Sequence, residues 1–204
     1  QLGDQVSIEK VIHHHATFDP ELLQQHIQNA KNGNQISFNF LLDTYWNEVY
    51  AFQLKKTQNE SDAEDITIQT FSKAFNSIDT FDPSYSFKTW LIAISKNIHV
   101  DLLRKKKASI RSQTTSDEDH KVYGIADDAP SIEDKLITEQ NLAQLLRDIK
   151  KLQPHYQEVI NLRYFQEMSY KEISQALAEP MNNIKVKLLR AKKLLAEIIR
   201  TRTQ

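Results

Sequence analysis

Between Ser61 and Lys107 the chain uses one device twice: a capping residue, then apolar side chains at helical spacing, then a polar or basic stop. Such a pattern commits a polypeptide to amphipathic helices, which bury their apolar stripes only by packing on one another. Ser61 and Glu64 are spaced for reciprocal capping, so the first helix is expected to open at Ser61. Ile66, Ala74, Phe75 and Ile78 supply its stripe, and Asp62, Glu64 and Asp65 form an acidic, solvated first turn. The helix is expected to stop near Thr80. Phe81-Asp82-Pro83-Ser84-Tyr85-Ser86 is then a turn, because Pro83 fixes one dihedral and Asp82 and Ser84 can bond their own backbone. Ser86 caps a second helix. Its stripe is Trp90, Leu91, Ile94, Ile98 and Leu102, and Lys88, Lys96, Asn97, Arg104, Lys105, Lys106 and Lys107 supply polar and basic groups. Two readings fit this basic edge beside Phe81, Tyr85 and Phe87: a solvated helix face over a core, or a surface that neutralises phosphate and stacks on unpaired bases.

Three glycines and five prolines in 204 residues, with no strand-type alternation, predict an all-α chain. The pattern divides into two small helical domains joined by a long linker, with 40% hydrophobic residues to fill their cores. A net charge of −1 excludes a uniformly basic coat, so contact with nucleic acid must come from local patches. Cysteine is absent, which removes disulfides and thiolate sites and agrees with a reducing, cytoplasmic setting. No apolar run approaches the ~18 residues that a membrane-spanning helix needs. Neither a phosphate-binding glycine loop, nor metal-ligand spacing, nor a nucleophile with a base is found, so an enzyme, a cofactor and a bound metal are not expected.

Residues 1–18 are polar, without periodicity or an initiating methionine, and are assigned no fold. His13-His14-His15 reads as a tract in a loose tail, since three adjacent side chains cannot all face one ion from a regular element. A first domain is expected over 19–107. Asp19-Pro20 opens a helix carrying Leu22, Leu23 and Ile27, Asn32-Gly33 closes it, and Ser37 starts the next, with Phe38, Leu41, Leu42, Tyr45, Val49 and Phe52 as its apolar face. Residues 108–130 hold two acidic clusters, Asp117-Glu118-Asp119 and Asp127-Asp128, and no sustained helical period; they read as a linker, either a flexible tether or a segment ordered in a partner's groove. A second domain is expected over 131–204. Ser131 and Asp134 cap its first helix, Pro154 starts another, and Ser169 with Glu172 caps a helix joined by a turn at Ala178 to Met181 to a long last helix capped by Asn182 or Asn183. Ile184, Leu188, Ala191 and Leu195 share one face of that helix. Asn182, Lys185, Val186, Leu189, Arg190 and Lys193 share the other, and Lys187 and Lys192 add charge. This is either a helix-turn-helix with a groove-facing helix or an amphipathic hairpin with a basic exterior.

DAEDITIQTFSKAF, FKTWLIAISKNIHVDLLRKKK, LRYFQEMSYKEISQAL and EPMNNIKVKLLRAKKLL, in this order and at these separations, resemble the bacterial sigma factors of the extracytoplasmic-function group. The similarity covers about 19–199. It implies a promoter-specificity subunit of RNA polymerase whose first domain (region 2) binds the clamp of the largest subunit through Asp62, Glu64, Asp65, Gln69 and Phe71. It also implies capture of a flipped base of the −10 element, and strand separation, by Phe81, Asp82, Ser84, Tyr85, Ser86 and Phe87 with Lys88, Lys96, Asn97 and Arg104. The second domain (region 4) would meet the flap of the second-largest subunit and read the −35 element through Asn182, Asn183, Lys185, Val186, Lys187, Leu189, Arg190 and Lys193. The linker would thread the polymerase channels, and an anti-sigma protein is an implied partner. Ile68-Gln69 replaces a common glutamine-glutamate pair, Asn182-Asn183 a glycine-threonine start, and Val186 a small hydroxyl residue. A two-domain regulator that reads duplex DNA and never binds polymerase is the competing expectation, and the aromatic loop beside Asn97 distinguishes the two.

Overall fold

The computed structural model describes residues 19–113, 131–140 and 142–203. The tail with His13-His14-His15 and both acidic clusters of the expected linker lie outside the described residues. Among those described there are nine α-helices and no strand: α1 (Pro20–Lys31), α2 (Gln35–Thr57), α3 (Glu60–Asn76), α4 (Phe87–Gln113), α5 (Ile132–Thr138), α6 (Leu142–Ile149), α7 (Pro154–Ile160), α8 (Tyr170–Leu177) and α9 (Met181–Thr203).

Several starts follow the local chemistry of the sequence. Asp19 accepts from the Glu21 amide at 3.0 Å ahead of Pro20, Ser86 accepts from the Thr89 amide at 3.1 Å, and Ser131 with Asp134 and Ser169 with Glu172 close complete capping boxes. Two starts differ. Asn34, not Ser37, caps α2, and Asn59, not Ser61, caps α3, with Oδ1 accepting from Ser37 and Asp62 amides respectively. Asparagine is as good a cap as serine and lies earlier in both segments, so α2 starts three residues and α3 two residues sooner. Gly33, between α1 and α2, has φ +79°, a left-handed conformation that glycine adopts without a Cβ penalty. α4 continues past Lys107 to Gln113. α9 is already helical at Met181, with the Ile184 amide bonded to the Pro180 carbonyl at 3.1 Å, so neither Asn182 nor Asn183 is its cap.

α1 to α4 enclose one core, including Phe38, Leu41, Val49, Phe71, Phe75 and Leu91. α3 is its central rod. Ala63, Asp65, Ile66, Thr67, Ile68, Thr70, Phe71, Ser72, Ala74 and Phe75 are all buried, leaving almost no solvent face. Its threonines tolerate this because each hydroxyl donates to a carbonyl one turn back, Thr67 to Ala63 and Thr70 to Ile66, both at 2.7 Å. The side chain of Gln53 on α2, fully buried, donates to Ser95 at 2.7 Å and faces His99 Nδ1 at 3.1 Å, which ties α2 to α4 by a satisfied polar network.

α5 to α9 enclose a second core around Ile160, Ile173, Ile184, Leu188, Ala191 and Leu195. Ala178, left-handed at φ 52°, ends α8 and turns the chain into α9. α9 touches both bundles. Its Ile184 side faces the second core, whereas Val186 belongs to the core of the first.

Candidate nucleic-acid and polymerase interface

The loop after α3 is built from the inside. Phe81 and Phe87 are 5% and 2% exposed, their rings meet edge-on at 5.2 Å, and both lie against Trp90, at 5.3 and 5.5 Å. This corrects the expectation that Phe81 and Phe87 offer faces to a base: they are the root of the loop. Tyr85, 64% exposed, is the ring the loop presents. Asp82 Oδ1 accepts from the Ser84 amide at 2.9 Å and the Tyr85 amide bonds to the Asp82 carbonyl at 3.1 Å, so the tip is pinned beneath Tyr85. The Ser84 amide bond also holds the Asp82 carboxyl below its ordinary range.

The basic side chains along α4 are exposed and only loosely tied. Lys88 pairs with Glu48 at 2.8 Å, Lys96 lies over the Phe52 ring at 5.6 Å, and Arg104 pairs with Asp101 at 3.5 Å. Asn97 is exposed on the same helix. Exposed pairs of this kind are worth at most about 1 kcal/mol, so an arriving phosphate competes readily.

The acidic turn of α3 is not the solvated feature the sequence suggested. Asp65 is buried, Asp62 pairs with Lys106 at 2.6 Å, and Glu64 pairs with Lys185 of α9 at 2.8 Å. Gln69 is half-buried and Phe71 is wholly inside the first core.

The outward side of α9 is likewise covered. Val186 is 3% exposed and Leu189 packs against the same first core. Arg190, 8% exposed, lies over Phe38 at 4.6 Å, Tyr156 at 5.5 Å and Phe75 at 5.7 Å, and its Nε donates to the Asn76 side-chain oxygen at 3.1 Å. Asn183 is buried, and Lys187 is held at 2.5 Å by Glu179, which also accepts from Asn39 of α2 at 3.4 Å; this removes Lys187 from the groove-facing set. Asn182 is half-buried and Lys193 is exposed. The structure therefore gathers Lys185, Val186, Leu189 and Arg190 on one face, as their spacing predicts, and lays that face on α3.

Sequence reasoning missed Asn76 and Glu179, which fix Arg190 and Lys187. It also missed Asp134 as more than a cap. Asp134 receives Tyr164 and Lys192, the latter at 3.0 Å. Burial pushes its carboxyl up, but bonds from Ser131 and Tyr164 and the charge of Lys192 outweigh this and hold it at about 2.

Two family models match the chain: Sigma-70 region 2 over residues 41–109 and Sigma-70, region 4 over residues 142–195. The chain is 30% identical over 182 residues to the ECF RNA polymerase sigma factor SigW of Bacillus subtilis, a match covering 88% of this chain and 97% of that protein. It is 28% identical over 185 residues to the ECF RNA polymerase sigma factor BldN of Streptomyces coelicolor, covering 90% of this chain and 68% of that one. A structure of CnrH in complex with the cytosolic domain of CnrY matches 87% of this chain and 97% of that chain, with 22% identity and a TM-score of 0.37. With a helix-turn-helix in α8 and α9, a four-helix bundle carrying the exposed Tyr85 loop, and this similarity along nearly its whole length, the chain belongs to the extracytoplasmic-function group of RNA polymerase sigma factors, which direct promoter-specific transcription initiation.

Proposed function

We propose that the labour of initiation is divided between the two bundles at the residues described above. Residues 19–107 act as region 2: Asp62, Glu64 and Gln69, with Asp65 and Phe71 as their buried support, face the polymerase clamp. The loop Asp82 to Ser86 with Lys88, Lys96, Asn97 and Arg104 takes the −10 element. Unstacking a base costs a few kcal/mol, and one aromatic face returns about 1–3. Tyr85 is the ring available for this, with Asn97 as an exposed amide farther along α4, while Phe81 and Phe87 hold the loop in place. Residues 131–204 act as region 4, meeting the polymerase flap and reading the −35 element with Lys185, Val186, Leu189, Arg190 and Lys193. Residues 108–130 connect the two.

The observation that carries this reading is the exposed Tyr85 on a loop rooted by two buried phenylalanines. A reader of closed duplex DNA has no use for such a ring. Sigma factors are initiation subunits without catalysis of their own, and among the described residues no helix is long and apolar enough to cross a membrane. An anti-sigma protein is part of the proposal, and the cleft of about 810 Å³ between the bundles, lined by apolar residues such as Phe38, Phe75 and Leu152 and by charged ones such as Lys151, Glu197 and Arg202, offers it a seat of mixed character.

Permanganate footprinting of a promoter opened by core polymerase with Tyr85→Ala tests the division. The closed complex is expected to form normally while unpaired thymines lose reactivity; normal reactivity would reject the role of Tyr85.

A further inference from the structure

Arg190 holds a buried charge with no counter-charge among the described residues. It is 8% exposed, and its one hydrogen bond goes to a neutral acceptor, Nε donating to the Asn76 side-chain oxygen at 3.1 Å. Its two Nη nitrogens make no hydrogen bond, and no carboxylate lies within ion-pair distance, among the described residues. Phe38, Tyr156 and Phe75 surround the guanidinium at 4.6, 5.5 and 5.7 Å, and ring faces answer its charge less fully than a carboxylate does. Burial pulls its pKa below the ordinary guanidinium value. A guanidinium withdrawn from water and left without a counter-charge is costly, and its planar fork is the side-chain group that best matches a carboxylate or a phosphate.

Arg190 lines the cleft of about 810 Å³, a volume within the ~300–1,000 Å³ of small-molecule sites. Phe38 and Phe75 of the first bundle and Leu152 and Ile198 of the second give it apolar walls. Lys31, Lys151 and Arg202 add positive charge. Lys151 and Arg202 share one carboxylate, Asp148, each at 3.0 Å, and Lys31 is in no ion pair among the described residues. Asp79 and Glu197 also line the cleft, but both are exposed and their charges are screened by water. Four cations thus stand against two solvated carboxylates. We infer that this cleft binds an amphipathic anion, a carboxylate or phosphate head carried on an apolar body, with the head on the Arg190 fork and the body against the rings and aliphatic walls. An inorganic anion would leave the walls uncovered, and a cationic amphiphile would meet four like charges. The bound anion takes the guanidinium that the −35 element would meet and the seat offered to an anti-sigma protein, so it competes with both. That consequence rests on the assignments proposed above; the site itself rests on Arg190 and the cleft.

Calorimetric titration of the full chain with sodium decanoate and, separately, with decyl phosphate tests the site and tells the two head groups apart. At least one is expected to bind saturably, one per chain. Decyltrimethylammonium, which has the wrong charge, and inorganic phosphate, which has no tail, are expected not to bind. Arg190→Gln should weaken the anion about 10–150-fold, the range for a charged hydrogen bond, and Lys31→Glu about 2–5-fold. The chain has no cysteine, so a bimane attached at Thr201→Cys, on the exposed rim of the cleft, reports from this place alone. Its emission should shift over the anion concentrations that calorimetry gives, while a bimane at Lys171→Cys, on the exposed side of α8, stays unchanged. This locates the ligand even if a thermal melt shows Arg190→Gln to be unfolded. Four results each overturn the inference: no saturable binding of either anion, equal binding of the ammonium, unchanged affinity in a folded Arg190→Gln, or a silent Thr201 bimane while the anion binds. Failure of the assignments proposed above reads differently: core polymerase makes no transcript with this chain, and the anion still binds.

Discussion

Replacing Asn76 by alanine isolates one strut of the contact between the bundles. Asn76 ends α3, is exposed as a residue, and spends its side-chain oxygen on Arg190 Nε at 3.1 Å. The substitution removes no core volume, so the first bundle should keep its stability to within about 0.5 kcal/mol. What it takes away is an acceptor for a buried guanidinium, a bond of the charged kind worth about 1.5–3 kcal/mol. The stacking of Arg190 on Phe38 and Phe75 remains, so closure weakens without vanishing. The open fraction should rise about 10–150-fold, and the maleimide reactivity of a thiol introduced there by Val186→Cys should rise by the same factor. Arg190→Ala should match or exceed this, and the double variant should show less than the sum, because both changes cut one bond. Reactivity unchanged in both single variants, with melting curves intact, would refute the reasoning, since Val186 would then be buried by something other than this contact.

The Glu64–Lys185 pair is partly exposed, and reversing either charge alone should speed the thiol reaction by about 3–10-fold, while Glu64→Lys with Lys185→Glu should slow it again, as read by the same maleimide assay. Phe81→Ala should cost the first bundle about 3–5 kcal/mol in denaturant unfolding, because it empties a core position, whereas Tyr85→Ala should change stability by less than about 0.5 kcal/mol and affect strand opening alone. Asp134, held at about 2 against an ordinary 3.8, contributes stability that is complete above 3.8 and lost as pH falls through about 2. Full strength is about 2 kcal/mol, trimmed to about 1–2 by the 20% of the side chain open to water. Asp134→Asn should therefore lower unfolding free energy at pH 7 by that amount and flatten its decline between pH 4 and 2.

Helix starts were legible at Asp19, Ser86, Ser131 and Ser169, where the residue that reads as the cap makes the cap bond. They were misplaced where an asparagine preceded a serine, as at Asn34 and Asn59, because two good caps in tandem compete and the earlier one makes the longer helix. The full burial of α3 was hidden by Thr67, Thr70 and Ser72, which count as polar in a pattern yet bury cheaply once a hydroxyl bonds back along the helix. The Tyr85 loop was recognised as a unit, but composition could not say which of its three rings turned inward. The cover on α9 left one trace. Val186 and Leu189 are apolar residues on a face otherwise read as basic, and in the free chain such residues seek a core before they meet DNA. Nothing local in the sequence could say that this core is the one built around α3, 121 positions away at the Glu64–Lys185 pair.

The division of promoter reading between the bundles is tested most directly by sequencing the transcripts that core polymerase makes with this chain on a library of randomised promoters. The wild-type chain should enrich templates carrying two separated sequence blocks, and Arg190→Glu should erase the upstream block while leaving the downstream one. Loss of both blocks together, or survival of both, would contradict the account.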